Sequence, residues 1–187
     1  MAGSGRVRVY IACSVDGFIA GPDDDLSWLP GSDGQGSVAE TRDDEAVGYE
    51  DFMADVGALL MGRRTYDVVS GFGGDWPYGE KPVLVATHRP LESKVAGVRA
   101  IDGSVPQMIA AALETAGGGD LYVDGGSLIR QALDASLIDE LIVTIAPIVL
   151  GEGHALFAGV TRRHPMVIES HHRFDGGMVQ LRMRPRG

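Results

Sequence analysis

The chain has 187 residues, 44% of them hydrophobic and 22% charged, which is an ordinary balance for one globular domain with a sizeable core. Its formal net charge of −10 argues against a nucleic-acid partner, which needs broad phosphate neutralisation, but leaves room for a small anion in a locally basic pocket. The single cysteine, Cys13, excludes an internal disulfide and suits a reducing compartment.

No apolar run is long enough to span a bilayer, so no membrane partner is expected. Met1 to Gly5 lack the apolar core of a secretion signal, and a cytoplasmic location is expected. Arg6 to Cys13 begins as an alternating strand and ends fully apolar. Asp16-Gly17 then bends the chain. Pro22 to Gly36 is a long acidic loop with Leu26, Trp28 and Leu29 embedded, which suits a lid over a site. Asp43 to Val56 is predicted helical, with Val47, Phe52, Met53 and Val56 as its apolar stripe. Ala58 to Met61 is a short buried strand, Gly62 to Thr65 a turn, and Tyr66 the start of another helix. Gly71 to Gly79 is a loop carrying Trp76.

Pro82 to Thr87 and Val98 to Ile101 are predicted strands, and Val105 to Ala116 a helix stopped by three glycines. Leu121 to Val123 is a strand that runs into Asp124-Gly125-Gly126. Ser127 can cap the helix that follows, in which Leu128, Ile129, Ala132 and Leu133 recur at helical spacing. Ile138 to Leu150 is predicted as a long strand, with Pro147 marking a bend, and Gly151 to Gly159 as a loop. Met166 to Arg173 and Met178 to Arg184 flank Asp175-Gly-Gly177, a hairpin signal. Strand–helix units imply parallel strands joined by right-handed crossovers. The expected fold is α/β, one domain over residues 1–187. Its mixed, mostly parallel sheet has about eight strands, flanking helices and a C-terminal β-hairpin.

Three strand ends carry residues suited to phosphate. Gly125 and Gly126 let a backbone or ligand approach closely, and the helix start behind them aims N–H groups at one point. The same stretch also suits a tight turn with no ligand. Gly62-Arg63-Arg64-Thr65 brings two guanidinium forks and a hydroxyl to another helix start. Cations there oppose the helix dipole; a bound anion would resolve that, as would pairing with Glu40 or Asp67. Ala86-Thr87-His88, followed by Arg89, presents a hydroxyl, an imidazole and a guanidinium, or else a polar loop before Pro90. Together the three could cradle a dinucleotide bearing an extra phosphate outside the carboxyl ends of the strands. There is no Gly-x-Gly-x-x-Gly fingerprint, so the ordinary Rossmann pattern fails.

Ser14-Val-Asp-Gly-Phe-Ile-Ala20, Leu60-Met-Gly-Arg-Arg-Thr-Tyr66, Val123-Asp-Gly-Gly-Ser127 and Ala146-Pro-Ile-Val-Leu-Gly151 resemble the dihydrofolate reductase-like superfamily. The nearer likeness is to the bacterial riboflavin-biosynthesis reductases, the RibD C-terminal domain family. It extends from about Val7 to Arg184. The resemblance implies a dihydrofolate reductase-like three-layer fold and NADPH as cofactor. It implies that Gly125, Gly126 and Ser127 hold the pyrophosphate, with Asp124 and Leu128 beside them at the cofactor, and that Gly62, Arg63, Arg64 and Thr65 hold phosphates. Ala86, Thr87 and His88 would receive the adenosine 2′-phosphate, and Ala12 and Ile19 would lie beside the nicotinamide. It further implies a homodimer.

On the substrate side, Thr144 stands where dihydrofolate reductases carry a threonine. Their helix carboxylate has no clean counterpart here: counting lands near Gly48 and Tyr49 or at Asp33, with Glu45, Glu50 and Asp51 nearby. Asp16, in the Ser-x-Asp-Gly motif, is the expected polar group near the substrate, able to assist protonation of an imine, or else simply the residue that bends the chain. Trp28, Tyr49 and Phe52 are the expected substrate contacts. Asp124 could cap its turn or meet a ligand. His171 and His172 face opposite sides of a strand, and no metal site is expected. The expected activity is an NADPH-dependent reductase acting on a ribosylaminopyrimidine- or pterin-like heterocycle, similar to 5-amino-6-(5-phosphoribosylamino)uracil reductase. Genuine dihydrofolate reduction, or a nucleotide-binding module without turnover, are the alternatives.

Overall fold

The structure, a computed structural model, describes residues 5–29 and 46–186. Glu40, Glu45 and Asp33 lie outside the described residues, as does the predicted helix start at Asp43. Eight strands form one sheet: β1 (Val7–Ser14), β3 (Val56–Gly62), β4 (Val83–Ala86), β5 (Val98–Ile101), β6 (Asp120–Asp124), β7 (Glu140–Ala146), β9 (Met166–Arg173) and β10 (Val179–Pro185). Their order across the sheet is β5-β4-β3-β6-β1-β7-β10-β9. The six from β5 to β7 run parallel, and the hairpin of β9 and β10 continues the sheet antiparallel. A separate two-stranded ribbon pairs β2 (Phe18–Ala20) with β8 (His154–Ala155).

Adjacent residues on a strand face opposite ways, so Leu59 and Leu60 serve two cores. Leu60, Leu84, Val9, Val123 and Val143 pack with Met108, Ile109 and Ala112 of α3 (Val105–Thr115) and with Leu128, Ile129 and Ala132 of α4 (Gly126–Asp134). On the other face Leu59, Met61, Val83, Val85 and Ile142 pack with Phe52 and Met53 of α1 (Tyr49–Asp55) and with Tyr66 of α2 (Arg63–Ser70). Helices therefore cover both faces of the sheet, giving three layers. Each fully buried leucine in these cores contributes about 1.5–3 kcal/mol from water exclusion.

The sheet's amino-terminal end on the α1 face holds a buried ion network. Arg8, 4% exposed, lies between Glu140 and Asp120 with its guanidinium 4.6 Å from the Phe52 ring centroid. Arg6 reaches Asp120 at 2.9 Å and Arg182 reaches Glu140 at 2.6 Å. At the opposite, carboxyl end of the parallel strands the chain turns into α2 and α4.

Four local expectations are corrected. The predicted helix through Val56 is shorter: Gly48 is extended, α1 begins at Tyr49, and Val56 already pairs with Asp120 as a strand residue. Gly62 to Thr65 is not a free turn, because Gly62 ends β3 and Arg63, Arg64 and Thr65 form the first turn of α2. The long strand stops at Ala146, one residue before Pro147, which has no N–H to offer a ladder. Ser127 does not cap α4: Gly125 holds that position, and Ser127 Oγ, inside the helix, accepts a bond from Gln131 Nε2.

Candidate active site

β3, β4 and β6 are neighbours in the parallel sheet, with Leu60 opposite Leu84 and Val123. Their carboxyl ends therefore emerge at one rim. A cleft of about 910 Å³ opens there, within the range of small-molecule sites. It is lined by Gly62, Arg63, Arg64 and Thr65 from the end of β3, Ala86, Thr87 and His88 from β4, and Asp124, Gly125, Gly126, Ser127 and Leu128 from β6. Ala12 of β1 and Ile19 of β2 line its other wall. All fourteen residues expected at the cofactor thus face one space.

The join between the β3 and β6 turns depends on a glycine. Gly125 has φ of 93°, which side chains rarely adopt, and a Cβ there would collide with Thr65 Oγ1. The starts of α2 and α4 therefore approach closely at this point. At Gly62 the position of a side chain is open space, so the floor of the cleft is bare backbone. Behind Gly126, Arg130 Nη1 donates to Ala155 O at 2.6 Å and ties α4 to the β2–β8 ribbon.

Arg63, Arg64, His88 and His154 of the cleft each lie near a carboxylate, whereas Arg130 is held by backbone carbonyls. Arg63 Nε donates to Asp67 Oδ1 at 2.8 Å and its Nη1 to Pro90 O at 2.9 Å. Arg64 Nε donates to Asp24 Oδ1 at 2.6 Å, and that bond holds its guanidinium above the usual range. His88 Nδ1 stands 2.9 Å from Asp102 Oδ1. His154 Nε2 lies 3.4 Å from Asp24 Oδ1, within ion-pair reach, yet it is buried and makes no hydrogen bond of good geometry.

Deeper in, the cleft is lined by Tyr10, Tyr78, Tyr122 and the Asp124 carboxyl. Burial pushes Asp124 up to about 6, although Gly125 N–H donates to its Oδ1 at 2.7 Å and favours the charged form. The side chain retains some access to solvent through the cleft, but protein packs closely around it. Burial also raises the Tyr78 and Tyr122 phenols. Tyr122 Oη donates to Tyr10 O at 2.8 Å. Leu26 and Leu29 of the long loop, with Val68, Val69 and Phe72 of the α2 region, supply apolar walls.

The five residues expected at catalysis and substrate stand elsewhere. The Asp16 carboxylate accepts bonds from the Ser14 hydroxyl at 2.6 Å, Gly151 N–H at 2.7 Å and Leu150 N–H at 3.1 Å. The Ser14 bond first, then the two backbone bonds, hold it down at about 2, so it pins the β1–β2 bend to the loop after β7 as a stable anion. Thr144 is buried on β7 between Ala12 and Gln180 in register, one strand beyond the cleft wall. Phe52 is fully buried between Tyr10 and Tyr122, so no ligand can touch it. Tyr49 is partly exposed and meets the Tyr10 ring edge-on at 5.5 Å; burial first, then the Asp124 charge, pushes its phenol up to about 12. Trp28 donates from Nε1 to Asp25 O, while its neighbours Leu26 and Leu29 face the cleft.

Sequence reasoning did not single out Tyr10, Tyr122, Tyr78, Arg130 or Asp102. The first two carried a signal: Tyr10 lies two residues before Ala12 and Tyr122 two before Asp124, so strand alternation puts each on its partner's face. Among the described residues no group of three or more His, Cys, Asp or Glu side chains could hold a metal ion. Nor is any described helix long and apolar enough to cross a membrane.

The RibD C-terminal domain model matches residues 6–180. An uncharacterized Bacillus subtilis (strain 168) protein, YwjB, is 32% identical over 177 residues, 94% of this chain and 95% of that protein. A crystal structure of a putative riboflavin biosynthesis protein from Shewanella sp. PV-4 superposes with a TM-score of 0.81 at 31% identity, covering 97% of this chain and 99% of that one. Dihydrofolate reductase from Enterococcus faecalis, complexed with NADP(H) and RAB-propyl, shares the fold with a TM-score of 0.63 at 16% identity, covering 98% of each chain.

Proposed function

The chain belongs to the RibD C-terminal domain family and has the dihydrofolate reductase-like three-layer fold. On that premise we propose that it is a cytoplasmic, NADPH-dependent reductase of a small ribosylaminopyrimidine- or pterin-like heterocycle. The observation that carries the reading is the convergence of three adjacent strand ends, with their glycines, arginines and hydroxyls, on one cleft. Bare backbone at Gly62 and the paired helix starts at Arg63 and Gly126 fit a dinucleotide's phosphates. Gly125, Gly126 and Ser127 would hold the pyrophosphate; Arg63, Arg64 and Thr65 would contact phosphates, the two arginines reaching the 2′-phosphate that Thr87 and His88 receive. Ala12 and Ile19 would flank the nicotinamide.

Bound there, NADPH would supply a hydride to an electrophilic carbon of the substrate. The chain's own part is to orient the acceptor and furnish a proton. Asp124, rather than Asp16, holds that proton, because its carboxyl is enclosed by the cleft and titrates near 6. For an imine acceptor, Asp124 would give its proton to the nitrogen, directly or through one water, as the carbon is reduced. The carboxylate then regains a proton from solvent. Tyr10, Tyr78 and Tyr122 exclude water around Asp124 and so keep the carboxyl available as an acid near neutrality.

Calorimetric titration with NADPH, followed by NADPH oxidation across flat heterocycles, tests the reading. Binding with turnover of a ribosylaminopyrimidine or pterin supports it. Turnover with dihydrofolate alone would replace the substrate class, a reading for which the described residues offer no helix acid in the cleft, since Glu50 and Asp51 are exposed on α1 and do not line it. Binding without turnover would make the chain a nucleotide-binding module. We further propose a homodimer formed along β9, the edge strand of the sheet, where Ile168 is 57% exposed. A monomeric mass by light scattering at micromolar concentration would refute it.

A further inference from the structure

We propose that Asp102 sets the preference between the two nicotinamide dinucleotides, and that it works against the 2′-phosphate. The inference rests on the dinucleotide reading above. β4 and β5 are parallel neighbours with Ala86 opposite Ile101, and Thr87 N–H donates to Ile101 O at 3.1 Å just past the end of β4. His88 and Asp102, the residues beyond, stand together at the rim with Nδ1 and Oδ1 2.9 Å apart, and both line the cleft. Asp102 is held in place: its Oδ1 also accepts Gly103 N–H at 2.6 Å. Ser104 follows as the cap of α3, bonded reciprocally with Gln107. The carboxylate thus stands two residues before the cap of α3, in the corner assigned to the 2′-phosphate.

Of the described residues that line the cleft, Asp24, Asp102 and Asp124 are the carboxylates. Asp24 is engaged by Arg64, and Asp124 lies at the end of β6. Asp102 alone stands at the adenosine end. A carboxylate oxygen there accepts a hydrogen bond from a ribose 2′-hydroxyl, which is the contact that acidic residues make with NADH in other dinucleotide folds. A 2′-phosphate has no such proton to give at neutral pH and meets a like charge instead. His88, paired with Asp102, and Arg89, whose Nη2 lies 3.8 Å from Asp67 Oδ2, offset that repulsion. The corner therefore mixes features suited to each dinucleotide, and Asp102 trims the advantage of NADPH.

Asp102→Asn removes the charge while keeping an oxygen for Gly103 N–H and His88, and the side chain is 62% exposed, so folding is not at stake. The unaltered chain and this variant are titrated calorimetrically with NADPH and with NADH, at low and high ionic strength. The expected result is an NADPH Kd about three- to tenfold lower in the variant, with the NADH Kd changed less than about twofold, and the gain shrinking in high salt. An NADPH-to-NADH ratio unchanged by the substitution overturns the role of Asp102 while leaving the dinucleotide reading intact. Failure of the unaltered chain to bind either dinucleotide overturns both.

Discussion

Replacing Asp124 by Asn should make the protein more stable at neutral pH and less active. Burial pushes the carboxyl from its ordinary value of 3.8 to about 6. Below pH 3.8 it is protonated folded and unfolded, and the shift has no effect on stability. As pH rises through 3.8 the unfolded chain gives up this proton first, so folding loses free energy until the folded carboxyl also ionises near 6. At about 1.4 kcal/mol per pH unit, the gap between 3.8 and about 6 amounts to about 3 kcal/mol, carried in full above pH 6. Asn carries no charge and escapes that penalty. For a chain of this length about 3 kcal/mol corresponds to roughly 6–12 °C in Tm. Urea or thermal unfolding of both proteins from pH 4 to 8 measures the difference, which should open between pH 4 and 6 and level off above. NADPH oxidation by the variant should fall about 10²–10⁴-fold, the usual contribution of a positioned acid. A variant less stable at pH 8, or a stability gap that does not change with pH, would refute the placement of a destabilised acid at this point. Full retained activity would remove Asp124 from the proton path.

Arg63→Ala combined with Arg64→Ala should weaken NADPH roughly 10- to 100-fold more than NADH, the loss expected for charge-assisted bonds to the extra phosphate; equal losses in calorimetry would place those arginines elsewhere. Gly125→Ala forces a side chain into a left-handed backbone and against Thr65 Oγ1, so dinucleotide affinity should fall at least about tenfold, with a fold cost of about 1–3 kcal/mol read by urea unfolding. An unaffected Kd would show that the α2–α4 contact does not shape the site. Arg8→Ala leaves Glu140 and Asp120 facing each other in a buried site and should cost about 3–5 kcal/mol, whereas Arg8→Met, which refills the volume, should cost less; equal unfolding midpoints for the two would count against the ion network as the source of the loss.

The convergence of three strand ends was legible because each is a short apolar run ending in glycine or hydroxyl residues, and a parallel sheet brings such ends to one rim. The sheet's strand count and hairpin followed from the same alternation. What escaped was tertiary. Asp16 looks like a free acid in its own neighbourhood, yet its partners Leu150 and Gly151 lie more than 130 residues away. Phe52 sits on an amphipathic stripe that gives no sign whether it faces a ligand or a core, and the packing of Tyr10 and Tyr122 around it decided for the core. The β2–β8 ribbon pairs segments of three and two residues, too short for any periodicity to register. Ser127 carried the right chemistry for a cap two positions too late, because Gly125 could take a backbone angle that serine avoids.

The abutment of α2 and α4 at Thr65 and Gly125 has an electrical consequence. Two amino-terminal helix ends meet in one place on a body whose net charge is −10. On the proposed reading, a dinucleotide approaching from solvent would be repelled at long range and attracted only over the last few ångströms. Added salt shields the distant repulsion more than the short contacts inside the cleft. Entry of the reductant should therefore quicken, rather than slow, as ionic strength rises, the reverse of what a basic receptor for phosphates would show.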